Sequence, residues 1–445
     1  MSVKLKVAKF GGSSLADATQ FRKVIDIVKS DETIKYVVPS APGKRFSEDT
    51  KVTDMLLNCY EKVLSGSDYS ADLLNIKKRY DSIIADLGIE LSLDEEFTRI
   101  GYAMRSRAGR DYVASRGEYL CGIVLAKCLD FEFVDASGIV RFKNDGSLDV
   151  ELTDKSTADS LLKLKNAVVP GFYGSMPNDT IKTFSRGGSD ITGAIVARAV
   201  NADMYENWTD VSGFLAADPR IVENPKSISV ITYRELRELS YMGATVLHED
   251  SIFPVSTVGI PINIRNTNKP SDRGTLIVES LSEEDDKDMI ITGIAGRNNF
   301  AVIDIEKEQM HGDLGFMWRA FEIFKRYEIS IEHVPTGIDN MSVVVLDDQK
   351  LSECEQALMD ELKSKLKPDY LKIDKDLALI AVVGRAMKSK PGTAAKVFKA
   401  VAKNNISIRM IDQGSSELNI IIGVDRTNFK TAINAIYKEF TEAGK

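Results

Sequence analysis

Near the amino terminus, Lys9-Phe10-Gly11-Gly12-Ser13-Ser14 combines the residue types an anion site needs. The lysine supplies positive charge, the adjacent glycines let backbone amides approach a ligand closely, and the hydroxyls open a helical pattern that begins at Leu15. Phosphate is the natural guest of such a turn. It is not a Walker A loop, because there the lysine follows the glycines. A Gly-Gly pair after a strand also fits an ordinary tight turn, so the motif needs support from elsewhere. That support is a second turn of the same kind: Phe184-Ser185-Arg186-Gly187-Gly188-Ser189-Asp190 sets an arginine before the glycines and an aspartate after them, ahead of a small-residue helix over 191–200. In Arg116-Gly117-Glu118 the glutamate reads as the head of a helix through Leu120, Ile123 and Val124, favoured there by the helix dipole or kept for a ligand.

The elements that must position these groups follow from periodicity. Alternation over 3–7 predicts the strand that delivers Lys9, and Phe21, Val24, Ile25 and Val28 predict a one-sided helix over 18–29. A buried strand through Tyr36-Val37-Val38 ends in the loop Pro39-Ser40-Ala41-Pro42-Gly43, and loops at the carboxyl ends of strands are where open α/β sheets bind ligands. The stretch 51–128 is helical throughout, with Thr53 opening one helix. Strands follow over 131–135, 167–171 and 204–208, the last ending in Trp208-Thr209-Asp210-Val211, and then a turn-rich loop with Asp218-Pro219-Arg220. A helix over 236–247 and strands over 260–265 and 274–278 complete this part. The acidic run 282–286 resists burial and marks a boundary.

Beyond that boundary the chain repeats itself. The stretch from Gly315 to Ile331 lies over that from Gly392 to Ile408 at a constant offset of 77, which also matches Val343-Val344-Val345 with Ile420-Ile421-Ile422. Each copy reads strand, helix, strand, strand, helix. The first finds its closing strand at 370–373, whereas the second ends in its helix, so the apolar run 289–295 ahead of the first copy must close it. The first unit is therefore expected to nest inside the second.

Composition bounds the function. The 445 residues suffice for roughly three domains at about 150 residues each. A formal charge of −8 argues against a nucleic-acid or anionic-membrane binder, so phosphate chemistry must rely on local positive charge. Four cysteines without C-x-x-C spacing, and only three histidines, point to reduced thiols in a cytoplasmic protein with no metal cage. No signal peptide or 18-residue apolar run is present.

With these motifs in hand the sequence resembles the aspartate kinases, amino acid kinase family members with two C-terminal ACT domains. The resemblance spans nearly the whole chain. It rests on the ordered set Lys9 to Ser14, Arg116-Gly117-Glu118, Ser185 to Asp190, Trp208 to Val211, Asp218-Pro219-Arg220, Gly243-Ala244, Val246-Leu247-His248 and Arg265-Asn266-Thr267. It implies an open, mainly parallel α/β kinase fold over 1–283, then a linker and closing strand over 284–300. Two ferredoxin-like βαββαβ ACT domains follow over 301–375 and 376–445, the first nested in the second. The implied reaction is ATP-dependent phosphorylation of the β-carboxylate of L-aspartate, the first step towards lysine, threonine and methionine. A carboxylate of reference pKa ~3.9 needs no general base, so the lack of a catalytic histidine is no objection.

By the same resemblance, Lys9 stabilises the transferring phosphoryl group and Asp190 holds Lys9, with Gly11, Gly12, Ser13, Thr209, Asp210 and Arg220 on ATP and Mg²⁺ carried by the nucleotide. Arg186 meets the aspartate α-carboxylate and Glu118 its α-ammonium, with Ser40, Thr53, Phe172, Gly187 and Ser189 lining that pocket. Met310, Asp313, Phe316, Met317, Ser330, Ile331 and Glu332 match the family's effector pocket at a subunit interface. Its acids favour lysine over threonine as feedback inhibitor, in a homodimer or tetramer with neither nucleic acid nor membrane as partner. Two positions depart from the family: Leu215 stands where tyrosine is common and Thr245 where lysine is, which implies a weaker hold on ATP. The rival readings are a kinase of another amino acid and a non-catalytic amino-acid-sensing regulator of the same fold.

Overall fold

A computed structural model describes residues 3–185, 187–244, 249–281, 290–388 and 390–441. The chain divides into two units, one comprising residues 1–214, 227–234 and 245–282, the other 215–226, 235–244 and 283–445. Two short segments ahead of the acidic run thus group with the carboxyl-terminal half.

The first unit begins with β1 (Lys6–Phe10), buried from Val7 onward. A single 3-10 turn (Gly12–Leu15) leads into α1 (Ala18–Ser30), where the Asp17 side chain caps the helix by accepting from the Gln20 amide at 2.9 Å. Then come β2 (Ile34–Pro39), α2 (Val52–Leu64), α3 (Ser70–Leu87), α4 (Asp94–Arg105) and α5 (Arg110–Leu129). The short β3 (Glu132–Phe133), α6 (Ala136–Ile139), α7 (Val150–Leu161) and β4 (Ala167–Val168) follow, then the hairpin β5 (Tyr173–Ser175) and β6 (Ile181–Thr183). Next are α8 (Gly188–Ala199), β7 (Met204–Thr209), β8 (Val230–Thr232), α9 (Tyr233–Tyr241, of which residues from 235 onward belong to the second unit), α10 (Glu249–Ser256), β9 (Ile262–Asn266) and β10 (Thr275–Val278).

Eight of these strands form one sheet in the order β3-β4-β2-β1-β7-β9-β10-β8, with β9–β10 as the antiparallel pair. Because β1 lies between β2 and β7 and all three run parallel, the turns after Phe10, Pro39 and Thr209 emerge side by side at one edge. That is the topological switch point where such sheets hold ligands. One core joins β1 and β2 to helices α1–α5 through Phe10, Leu15, Phe21, Leu56, Tyr80, Phe97 and Leu120.

The second unit is built on β11 (Gly293–Glu306), α11 (Phe316–Arg326), β12 (Ile331–His333), β13 (Asn340–Leu346), α12 (Gln349–Leu366), β14 (Tyr370–Val383), α13 (Thr393–Ala402), β15 (Ile408–Asp412), β16 (Asn419–Asp425) and α14 (Phe429–Thr441). Its six strands run β12-β13-β11-β14-β16-β15. The strands β11 and β14 pair antiparallel along their length, from Gly293 opposite Val383 to Glu306 opposite Tyr370. The second half of β11 also pairs with β13, and the second half of β14 with β16. Each long strand therefore serves both repeats, and the nested arrangement is what the sheet has. Ala301, Ile303, Phe316 and Leu358 pack the first repeat; Ile380, Val397, Ile422 and Ile433 pack the second.

Several element expectations need correction. Glu118 is not at a helix head: α5 starts at Arg110 and carries Glu118 in its interior. The helix expected over 236–247 is α9 and ends at Tyr241, with 245–248 outside the described residues. The strands expected over 131–135 and 167–171 shorten to two residues each. The acidic run 282–286 also lies outside the described residues.

Candidate active site

At the carboxyl edge of β1 the Lys9 ammonium lies 2.5 Å from Asp190 Oδ1, and both belong to the first unit. Lys9 is 7 % exposed, so the pair sits largely out of water, where its attraction is strong and its geometry matters. Asn207 Nδ2 donates to the same Asp190 oxygen at 2.8 Å, and the Tyr205 hydroxyl donates to the Asp190 carbonyl at 3.0 Å. Lys9 and Asn207 are register partners on β1 and β7, which turns their side chains to the same face. Asp190 descends onto them from the first turn of α8, whose cap Gly187 takes a left-handed φ of 57°.

The amino-terminal turn is as closely built. A side chain at Gly12 would put its Cβ 2.8 Å from the Ala41 carbonyl oxygen, and one at Gly43 would come within 2.6 Å of the Gly12 carbonyl carbon. The Gly43 amide donates to the Gly12 carbonyl at 2.8 Å, joining the turn after β1 to the loop after β2. A Cβ at Gly11 would lie 3.6 Å from Lys9 Nζ, which puts the ammonium beside the turn. Ser14 and Thr267 hydroxyls meet at 2.8 Å, and the Thr267 amide donates to the Thr209 carbonyl at 2.9 Å, so the turn, the end of β7 and the residue after β9 are linked.

A cleft of about 640 Å³ opens there, lined by Gly11, Gly12, Ser13, Ser40, Gly43, Thr53, Glu118, Thr209 and Asp210 among others. Eight positions from the sequence set thus share one cavity. Glu118 stands out electrostatically. It is 5 % exposed, and its Oε2 is buried without a hydrogen-bond partner. Burial pushes its carboxyl up to about 8, against the opposing pull of the Ala41 amide and the Arg116 charge. An orphaned carboxyl on a cleft wall is suited to receive a ligand cation.

Thr53 also lines a second cavity of about 570 Å³, with Phe172, Lys182, Phe184 and Ser185. Phe172 holds a left-handed φ of 81° and lies against Gly188, where a Cβ would come within 2.6 Å of its ring. Ser189 is similarly close to Gly171. Arg186 and Thr245 lie outside the described residues. Arg220 and Leu215 belong to the second unit; the Arg220 guanidinium is exposed and paired with Asp218 at 2.7 Å. Among the described residues no group of three or more His, Cys, Asp or Glu side chains is placed to hold a metal, and no helix is long and apolar enough to cross a membrane.

In the second unit, Met310, Phe316 and Ile331 share the core of the first repeat, while Met317 is exposed. Asp313 accepts from Arg319 Nη2 at 2.5 Å, which holds its carboxyl below the usual range. Glu332 on β12 accepts the hydroxyl of Tyr241, at the end of α9. Asn207, Tyr205 and Tyr241 escape sequence reasoning, because a strand asparagine or a helical tyrosine carries no motif; only the register of β1 and β7 reveals the first two.

The amino acid kinase family profile matches residues 4–266, and an ACT domain profile matches residues 380–440. Aspartokinase 3 of Bacillus subtilis (strain 168) is 38% identical over 98% of this chain and 98% of its own length. The crystal structure of Clostridium acetobutylicum aspartate kinase superposes with a TM-score of 0.91 at 48% identity, covering 99% of this chain and 100% of that one. That of E. coli aspartokinase III in complex with aspartate and ADP shares the fold, with a TM-score of 0.76 at 24% identity over 98% and 99% of the two chains. The chain belongs to the amino acid kinase family, as one of its aspartokinases.

Burial of Glu118 has a consequence for stability. Its carboxyl binds a proton more tightly in the folded chain than in the unfolded one, so stability falls as pH rises from about 4.5 towards 8 and levels off above. Glu118→Gln should flatten that slope and melt at or above the wild-type temperature at pH 8 in the absence of ligands. Thermal denaturation at pH 6 and pH 8 checks this, and a variant whose melting temperature keeps the wild-type pH slope would refute it.

Proposed function

We propose that this protein catalyses transfer of the γ-phosphoryl group of ATP to the β-carboxylate of L-aspartate, giving 4-phospho-L-aspartate and ADP. One observation carries the reading: the buried Lys9–Asp190 pair at the edge of β1, beside a glycine turn whose cleft also presents the orphaned Glu118 carboxyl. The relatives named aspartokinase, alike over the full length of the chain, support it.

A carboxylate oxygen attacks phosphorus in line as the bond to the β,γ-bridging oxygen breaks and ADP departs. No proton need move, so catalysis is positioning and charge stabilisation. The Lys9 ammonium and the amides of the Gly11-Gly12 turn face the charge that develops on the equatorial oxygens. Asp190, oriented by Asn207, keeps Lys9 from swinging to solvent. Mg²⁺ bound to the ATP phosphates would neutralise part of their charge. Ser13, Thr209 and Asp210 serve the nucleotide. Glu118 and Arg186 fix the ammonium and α-carboxylate of aspartate, with Ser40, Thr53, Phe172, Gly187 and Ser189 around them.

The second unit is the regulatory part. Leu314, Met317, Trp318 and Ile338 are exposed apolar residues of the first repeat, and they favour a homodimer formed through this unit. The effector site is the set Met310, Asp313, Phe316, Met317, Ser330, Ile331 and Glu332. Asp313 is already engaged by Arg319, which leaves Glu332 as the main acid for a lysine ammonium, and Tyr241 competes for it.

Three measurements test this reading. Hydroxylamine-trapped acyl phosphate and ADP release should appear with aspartate and not with glutamate or acetylglutamate; turnover on none of the three would overturn the enzyme reading. In the same assay Lys9→Met should lower kcat by about 10²–10³-fold, the usual cost of one preorganised charge-stabilising donor. The KM for aspartate should fall as pH rises from 6.5 to 8.5, because Glu118 must ionise to receive the ammonium, and Glu118→Gln should lose that dependence with KM raised about 10–100-fold. For regulation, Glu332→Ala should abolish sensitivity to lysine. Tyr241→Phe should lower the half-inhibitory lysine concentration about 3–10-fold, the worth of one competing hydrogen bond.

A further inference from the structure

Arg79, on α3, is a charged side chain with no place in the chemistry above, yet it is only 7 % exposed. Its Nη1 and Nη2 donate to backbone carbonyls from three separate segments, while Nε is buried without a partner. Nη1 donates to Thr50 at 2.8 Å; Nη2 donates to Ala16 at 3.2 Å and also to Gly43. The nearest acid, Asp49, stands 3.5 Å away and is itself held by Arg45 at 2.7 Å. Burying a guanidinium chiefly among neutral carbonyls is costly, and three convergent acceptors are what offset the lost hydration.

Those three segments are the walls of the cleft. Ala16 follows the turn that bears Gly11, Gly12 and Ser13. Gly43 belongs to the loop held against Gly12 by the 2.8 Å hydrogen bond from its amide, and the cleft lining continues from it through Ser47. Thr50 leads into α2, whose first turn carries Thr53, and the Val52 amide ties that start back to the Pro42 carbonyl at 3.1 Å. One planar fork thus sets the spacing between the glycine turn on one side and Ser40 and Thr53 on the other. Lysine, a compact point charge, lacks the fork that reaches carbonyls on two sides at once.

We infer that Arg79 is a positioning residue for substrate binding: it holds the glycine turn, the 43–50 loop and the start of α2 at the separation that the nucleotide and the acceptor acid need. This rests on the kinase reading of the cleft. Lys9 and Asp190 stand on β1 and α8 and do not touch Arg79, so its loss should weaken binding more than chemistry.

In the full-length protein, Arg79→Lys and Arg79→Gln should each raise KM for both ATP and aspartate about tenfold while kcat stays within about threefold. Arg79→Ala should regain part of its affinity with added methylguanidine, for which the cavity of about 610 Å³ behind the loop, lined by Arg45, Asp49, Asp54 and Arg79, offers a way in. A merely structural arginine would instead lower the melting temperature and the active fraction with both KM values unchanged, and that result in Arg79→Lys would overturn the inference. Calorimetric binding of ADP to wild type and Arg79→Lys gives a second reading that needs no turnover. Should the wild type phosphorylate no acid, the activity falls, while weaker ADP binding by the variant still upholds Arg79 and equal binding still overturns its role.

Discussion

A buried lysine needs a counter-charge, and the pair it forms must be held from several sides at once. Lys9 and Asp190 meet this demand with parts drawn from three elements: β1 supplies the ammonium, α8 the carboxylate and β7 the asparagine that orients it. The parallel register of β1 and β7 makes Lys9 and Asn207 neighbours, and the left-handed cap at Gly187 starts α8 above them. A slip of one residue in that register would turn one of the two side chains to the other face of the sheet. The sheet order is therefore a constraint on chemistry as well as on packing.

Around this pair the first unit separates satisfied from unsatisfied charge. Lys6 is shared between Asp31 and the buried Glu206, and Arg198 is met by Asp154. These are structural pairs formed within the chain. Glu118 is different, since its buried oxygen has no donor and its carboxyl sits far above its usual range. That group lines the cleft where β1, β2 and β7 end, and there a ligand can supply what the fold withholds.

The second unit follows a different logic. Two ferredoxin-like repeats share one six-stranded sheet because β11 and β14 are long enough to serve both, and the second repeat closes only with the strand that precedes the first. The segment 235–244, which carries most of α9, belongs to this unit and brings Tyr241 to Glu332. A candidate effector acid is thus engaged by a helix that lies between kinase strands in sequence.

Much of this was legible in the residue order. Glycine pairs, strand-end hydroxyls and the 77-residue repeat depend on local backbone demands and short-range periodicity, which sequence expresses directly. They indicated the α/β class and the nesting of the repeats, whereas the eight positions that line the cleft came from the resemblance to the aspartate kinases. Long-range register and burial were decided only in three dimensions. Glu118 read as a first-turn residue because the start of α5 carries no distinctive cap, and its perturbed acidity arises from burial that only folding creates, against the opposing pull of the Ala41 amide. Asn207 and Arg79 carry no motif: one acts through its neighbour on the adjacent strand, the other through carbonyls of residues 16, 43 and 50, and only folding brings those atoms within reach.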